Sequence, residues 1–111
     1  MALHGLGKVT TTIGVPVVVT NNETIPGARY PVHSFMVEVL PSNSNKIYIG
    51  SSTMVRSTLA GVYAILPPPT TNVLSNFSVT VTYAPAAINL NEIFLDVDAN
   101  GEGALVSAVK A

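Results

Sequence analysis

The sequence predicts an all-β protein, a single-domain antiparallel β-sandwich or jelly-roll-like barrel of about eight short strands. Three observations carry this. Apolar and polar side chains alternate through Ser34 to Leu40 and Phe77 to Tyr83, as strands buried on one face require. Turn-forming residues recur between the β-branched runs at the spacing of short strands. No stretch sustains the apolar spacing of a helix.

The elements follow in order. Residues 1–8 lack strand alternation and read as an N-terminal arm on a domain spanning 1–111. Val9 to Ile13 is rich in β-branched residues and reads as the first strand. Pro16 has no N–H to give a ladder, so the Val17 to Thr20 strand begins after it or lies at a sheet edge. Ile25 to Val32 contains Pro26, Gly27, Arg29 and Pro31, an extended irregular connection. Ser34 to Leu40 is the strongest strand, with Phe35, Val37 and Val39 on one face and Met36, Glu38 and Leu40 on the other. The polar run Pro41 to Asn45 and the strand Lys46 to Gly50 complete an expected hairpin.

Ser51 to Leu59 is the ambiguous stretch. It reads as a loop with one helical turn, because its Ser and Thr residues disfavour a longer helix. Gly61 to Leu66 returns to strand. Pro67, Pro68 and Pro69 then form a stiff segment that leaves the sheet. Ala84 to Asn91 is a connector with room for one short helical turn. Phe94 to Asp98 and Ala104 to Val109 read as a closing hairpin, with Asn100 and Gly101 supplying the positive φ angles of a type I′ turn.

Composition narrows the function. The chain has 111 residues, of which 48% are hydrophobic and only 10% charged, against about 25% charged in an average domain. Interfaces are depleted of charge in the same way, so the composition points to a surface that lies largely against other subunits. The net charge is −1 and the basic residues are scattered, which argues against a nucleic-acid partner. No apolar run approaches the ~20 residues of a membrane-spanning helix, and the N-terminal residues lack a secretory pattern. Cysteine is absent, which removes disulfides and thiolate chemistry.

Candidate chemistry is sparse. Asp96, Asp98, Asn100 and Gly101 match the opening D-x-D-x-N-G of a calcium loop. The position that should supply a bidentate carboxylate is Ser107, so the turn reading is preferred and no metal is expected. His4 and His33 are isolated. Glu38 interrupts an apolar strand and has Arg29 or Arg56 as potential partners. No nucleophile elbow, phosphate loop or paired carboxylates stand out. The expectation is a protein without enzymatic activity or cofactor.

Four segments then carry a resemblance. GKVTTT, VHSFMVEVLPSNSNKIYIG, LAGVYAILPPP and INLNEIFLDVDANGEGALVSAVKA, in this order, resemble a group of short virion structural proteins of tailed bacteriophages. What the resemblance implies is a virion component made in the bacterial host cytoplasm. Its expected form is a capsid decoration (cement) protein on the outer capsid surface, bridging major capsid protein subunits as a homotrimer. The alternatives are a neck or tail component, in six-fold or twelve-fold rings, or a carbohydrate-binding β-sandwich module. Against the last, Tyr48 and Tyr63 sit in strands where core packing is the simpler role. The expected contact residues are Leu3, His4, Leu6 and Lys8 of the arm, and Ile25, Arg29 and Tyr30 of the irregular segment, since both segments lack a packing pattern of their own.

Overall fold

The computed structural model describes residues 3–21, 29–71, 73–82 and 87–111. Nine strands occur among them: β1 (Leu3–Thr10), β2 (Val17–Val18), β3 (Pro31–Val39), β4 (Ile47–Val55), β5 (Ala60–Leu66), β6 (Asn76–Thr80), β7 (Ile88–Asn89), β8 (Phe94–Val97) and β9 (Gly103–Lys110). Among the described residues a single 3-10 turn, Leu90–Glu92, stands between β7 and β8; the expected connector Ala84 to Asn91 thus holds strand β7 and the start of this turn, and its residues 84–86 lie outside the described ones. The strands form two antiparallel sheets, with order β1-β9-β3-β6 (β7 pairing with the start of β3) and β2-β8-β4-β5. The architecture is a β-sandwich, as the sequence predicts.

The alternation assigns each inner face. Phe35, Val37 and Val39 of β3 are buried, and β9 opposes them with Ala108, Val106 and Ala104. From the other sheet, Ile47 and Ile49 of β4 and Leu95 and Val97 of β8 complete the same core. Phe77 of β6 packs edge-to-face on Phe35 at 6.0 Å, a geometry aromatic rings prefer. Each fully buried Val, Leu, Ile or Phe contributes about 1.5–3 kcal/mol. Pro16 acts as expected, since β2 follows it and lies at a sheet edge.

Several expectations are corrected. Residues 3–8 are not an arm. They belong to β1, which pairs with β9 from Leu3 opposite Val109 to Thr10 opposite Gly103. A bulge between Gly5 and Gly7 breaks the simple alternation here, which is why the strand pattern is hidden in the sequence. The first strand accordingly ends at Thr10 and does not extend to Ile13. Neither expected hairpin forms at Pro41 to Asn45 or at Asn100-Gly101. β3 and β9 lie in one sheet and β4 and β8 in the other, so both loops are corners that carry the chain across the sandwich. Alternation reports which face of a strand is buried, but it is silent on which strand lies beside it. The turn at Gly101 is also of another type. Glu102 N–H donates to Ala99 O at 3.3 Å and Gly101 alone of the central pair has positive φ, at 83°, the arrangement of a type II turn.

The two corners are fastened to each other. Asn43 is buried; its Nδ2 donates to Gly103 O at 2.7 Å, and its Oδ1 accepts from Gly103 N–H at 3.3 Å. The side-chain amide thus stands in for a neighbouring strand's peptide group. Glu102 reaches the same loop, where its carboxylate accepts from Ser44 N–H at 2.7 Å, Ser44 Oγ at 2.9 Å and Asn45 N–H at 3.0 Å.

β4 and β5 are the consecutive strands that do form a hairpin, and it is irregular. Gly50 pairs with Val62 and Val55 with Ala60, so Ser51–Met54 bulge opposite Gly61 alone. The ambiguous stretch Ser51 to Leu59 is therefore strand to Val55, then turn. A Cβ on Gly50 would lie 2.2 Å from Gly61 O, so only glycine permits this backbone approach. The bulge turns the hairpin tip back toward β8, which builds the site described next.

Candidate functional site

The acidic run Asp96–Asp98 begins on β8 and continues into the corner loop. Asp96 pairs with Tyr48 across the outer face of its sheet, opposite the core. An outer-face aspartate is ordinarily solvated, yet Asp96 is only 2% exposed. The folded-back hairpin tip covers it and brings Arg56 onto it. Arg56 Nε lies 3.3 Å from Asp96 Oδ2, and its Nη1 lies 2.6 Å from Asp98 Oδ1. Asp96 Oδ1 accepts from Gly14 N–H at 3.0 Å and from Val97 N–H at 2.8 Å. Tyr48 Oη donates to Asp98 Oδ2 at 3.0 Å. Burial holds the Tyr48 hydroxyl above its ordinary pKa, and the hydrogen bond to the Asp98 carboxylate adds to that.

The three residues read from sequence as a possible cation site are thus each turned to a protein donor. Asp96 and Asp98 share Arg56, and Asn100 Oδ1 accepts from Ile13 N–H at 2.9 Å. The Arg56 guanidinium bridges the two carboxylates. Among the described residues no group of three or more His, Asp or Glu is placed to hold a metal. Glu38 is not the partner of Arg56, because the fold places Glu38 on the sheet opposite. A groove of about 390 Å³ opens beside this cluster, lined in part by Gly14, Tyr48, Met54 and Arg56. The cluster joins the 11–16 loop, the hairpin tip and β8. Its chemistry is that of a structural clasp.

The residues expected to touch a partner separate into two groups. Leu6 and Tyr30 are core residues. The bulge at Gly5–Gly7 turns Leu6 inward, and Tyr30 is covered on one side by Lys110, whose Nζ stands 5.0 Å from the ring centroid. Neither presents a surface to another molecule. His4 is half-buried opposite Ala108. Leu3, Lys8 and Arg29 are exposed. Ile25 lies outside the described residues.

Leu3 and Lys8 belong to a surface that the sequence did not reveal as a unit. The registers of the first sheet stack its outward side chains in rows. Leu3, Val109, Ser34 and Thr80 form one row, and Gly5, Ser107, Met36 and Ser78 the next. Lys8, Leu105, Glu38 and Asn76 form the third. Lys8 and Glu38 are the ionisable members of these rows. Leu3 is 77% and Leu105 47% exposed. Short Ser, Gly and Thr side chains lie between these larger ones, and a depression of about 270 Å³ runs along the centre. The signal was present as the polar half of each alternating strand, but only the pairing puts those halves side by side.

The strand tyrosines also divide. Tyr48 is buried, though under the hairpin tip on the outer face and outside the core cluster, and Tyr63 is 55% exposed on edge strand β5. No protein-family model, curated protein or solved structure matches this chain.

Proposed function

We propose that this protein is a structural subunit of a phage particle, a decoration protein that binds the outside of the capsid and bridges major capsid subunits. The observation that carries the reading is the outer face of the β1-β9-β3-β6 sheet, weakly charged and studded with exposed Leu3 and Leu105. Such a face sheds water at little cost, since few charges need desolvation. It also matches what a cement protein requires, which is contact area without chemistry. A stable contact buries about 800 Å² per partner. Many copies on one shell, each joined as a homotrimer, add avidity to modest single contacts. The clasp at Arg56 and the Asn43 corner fit the same role, because they stiffen the sandwich without leaving a reactive group unengaged.

Electron cryomicroscopy of phage particles that carry the chain tests this. Density on the outer shell, at three-fold or local three-fold positions, with the β1-β9-β3-β6 face toward the shell, is the expected result. Density confined to a six-fold or twelve-fold ring at the neck or tail overturns it. The variant Leu105→Glu places a carboxylate between Lys8 and Glu38 on this face, where a contact with the shell would have to desolvate it. It should melt as the parent does, yet dissociate from particles at lower salt. Retention equal to the parent's would remove this face from the contact.

A further inference from the structure

The opposite side of the sandwich carries a different kind of surface. On the outer face of the β2-β8-β4-β5 sheet a groove of about 410 Å³ runs between β5 and the 3-10 turn. It is lined by Ser51, Ser52, Tyr63, Asn91, Glu92 and Phe94. Tyr63 points outward because its neighbour Ala64 pairs with Ile49 and faces the core. Ser51 and Ser52 belong to the bulge opposite Gly61, and the Ser51 hydroxyl is hydrogen-bonded to Thr53 Oγ1 at 3.3 Å. Across the groove, Thr20 Oγ1 donates to Asn91 Oδ1 at 2.6 Å, which orients that amide. Glu92 is exposed beside it.

We infer that this groove is a binding site for a neutral sugar ring of a glycan. A pyranose has an apolar C–H face and a rim of hydroxyls. An exposed tyrosine ring beside half-buried Phe94 offers the matching platform, and a carboxylate with serine hydroxyls and an amide offers acceptors and donors for the rim. The described lining disfavours other ligand classes. It contains no cationic side chain among the described residues, so a phosphate or carboxylate ligand would meet Glu92 without compensation. Glu92 is its single described carboxylate, which supplies too few oxygens for a divalent cation. A purely apolar ligand would leave the lining hydroxyls and carboxylate without water or partner. The site does not depend on the capsid reading, though the two are compatible: a particle bound through one sheet displays the other outward. Single-site affinity in an open groove is weak, with a Kd of about 1 mM, and multiple copies on a particle raise it by avidity.

The test is a titration of the ¹⁵N-labelled full chain with maltotriose, cellotriose, chitotriose and mannotriose, following amide shifts. The expected result is a saturable shift with at least one of these, confined to Ser51, Ser52, Tyr63, Asn91, Glu92, Phe94 and their neighbours. Tyr63→Ala should weaken it about tenfold or more, while Tyr63→Phe retains it. Glu92→Gln should weaken it with the fold unchanged. No saturable shift with any of the four overturns the inference. Saturable shifts centred elsewhere, or unaffected by Tyr63→Ala, do so as well. Shifts at these residues that appear on raising protein concentration without sugar would show a contact between copies, and would also overturn it. Capsid attachment is measured separately through Leu105→Glu, so either reading can fail alone.

Discussion

Replacing Arg56 with methionine tests the clasp at the hairpin tip. The substitution keeps an unbranched apolar stem and removes only the guanidinium. In the parent, Asp96 Oδ1 already has two backbone donors, while Oδ2 faces Arg56 Nε at 3.3 Å. Without Arg56 that oxygen stays on a side chain 3% exposed and loses the guanidinium that faces it. Removing one partner of a fully buried pair costs about 3–5 kcal/mol, whereas an exposed pair contributes about 0–1 kcal/mol. Arg56 is 26% exposed, which places the loss between these limits, at about 2–3 kcal/mol. At this chain length that lowers the Tm by roughly 8–12 °C. Urea unfolding followed by circular dichroism at pH 7 measures it. Asp96→Asn and the double variant close a thermodynamic cycle, in which the double variant should be more stable than the two single losses predict, by about 1–2 kcal/mol. Arg56→Met within about 0.5 kcal/mol of the parent, with no coupling, would show that desolvating the guanidinium cancels its attraction. The hairpin tip would then owe its position to its own backbone pairing and to buried Met54.

Three further perturbations probe other elements. Asn43→Ala leaves Gly103 N–H without its side-chain acceptor at a buried corner; a loss of about 2–3 kcal/mol in urea unfolding is expected, and a loss below about 0.5 kcal/mol would mean that water replaces the amide. Leu59 is a non-glycine residue with positive φ, 63°, and its side chain is exposed. Leu59→Gly relieves about 1–2 kcal/mol of left-handed strain against about 0.5–1 kcal/mol of added chain entropy, so the Tm should rise slightly; a clear fall would reveal packing by the leucine side chain. The Tyr48 hydroxyl has a raised folded-state pKa. Its contribution is therefore complete below the unfolded value of 10.0 and is lost as pH rises through the higher folded value. The stability gap between the parent and Tyr48→Phe should be constant below that pH and narrow above it, and parallel curves through the alkaline range would contradict this.

The inner faces were legible in the sequence because burial in a sheet follows local alternation. Phe35, Val37 and Val39 could be assigned to the core from their spacing alone. Proline punctuation was equally local, and Pro16 marked the start of an edge strand. Partner choice was not legible. The Pro41 to Asn45 loop has the composition of any polar turn, and nothing near it announces that Asn43 will bond the backbone of Gly103. Residues 3–8 of β1 were missed because a bulge interrupts the strand's period. The acidic run posed a sharper case. Asp96 was rightly placed on the polar side of a strand, but its countercharge comes from a hairpin tip folded back at two glycines distant in sequence. Tyr63 was assigned to the core because an edge strand looks locally like a central one.

The position of β9 has a consequence for synthesis. It sits between β1 and β3 at the middle of its sheet, yet it follows every other strand in the chain. While the nascent chain emerges, β1 and β3 have no common neighbour, and the first sheet lacks the strand that joins its halves. The β4–β5 hairpin can form from its own local contacts. The second sheet and the β3–β6 pair involve no residue of β9, but the first sheet closes only when β9 pairs with both β1 and β3, which requires Leu3 to find Val109, far away in sequence. Completion of that sheet therefore follows translation of β9. It should be slow, on the millisecond-to-second scale of β proteins built from distant pairings. During that interval the facing edges of β1 and β3 are open to neighbouring chains, and aggregation is the greatest risk until they are paired.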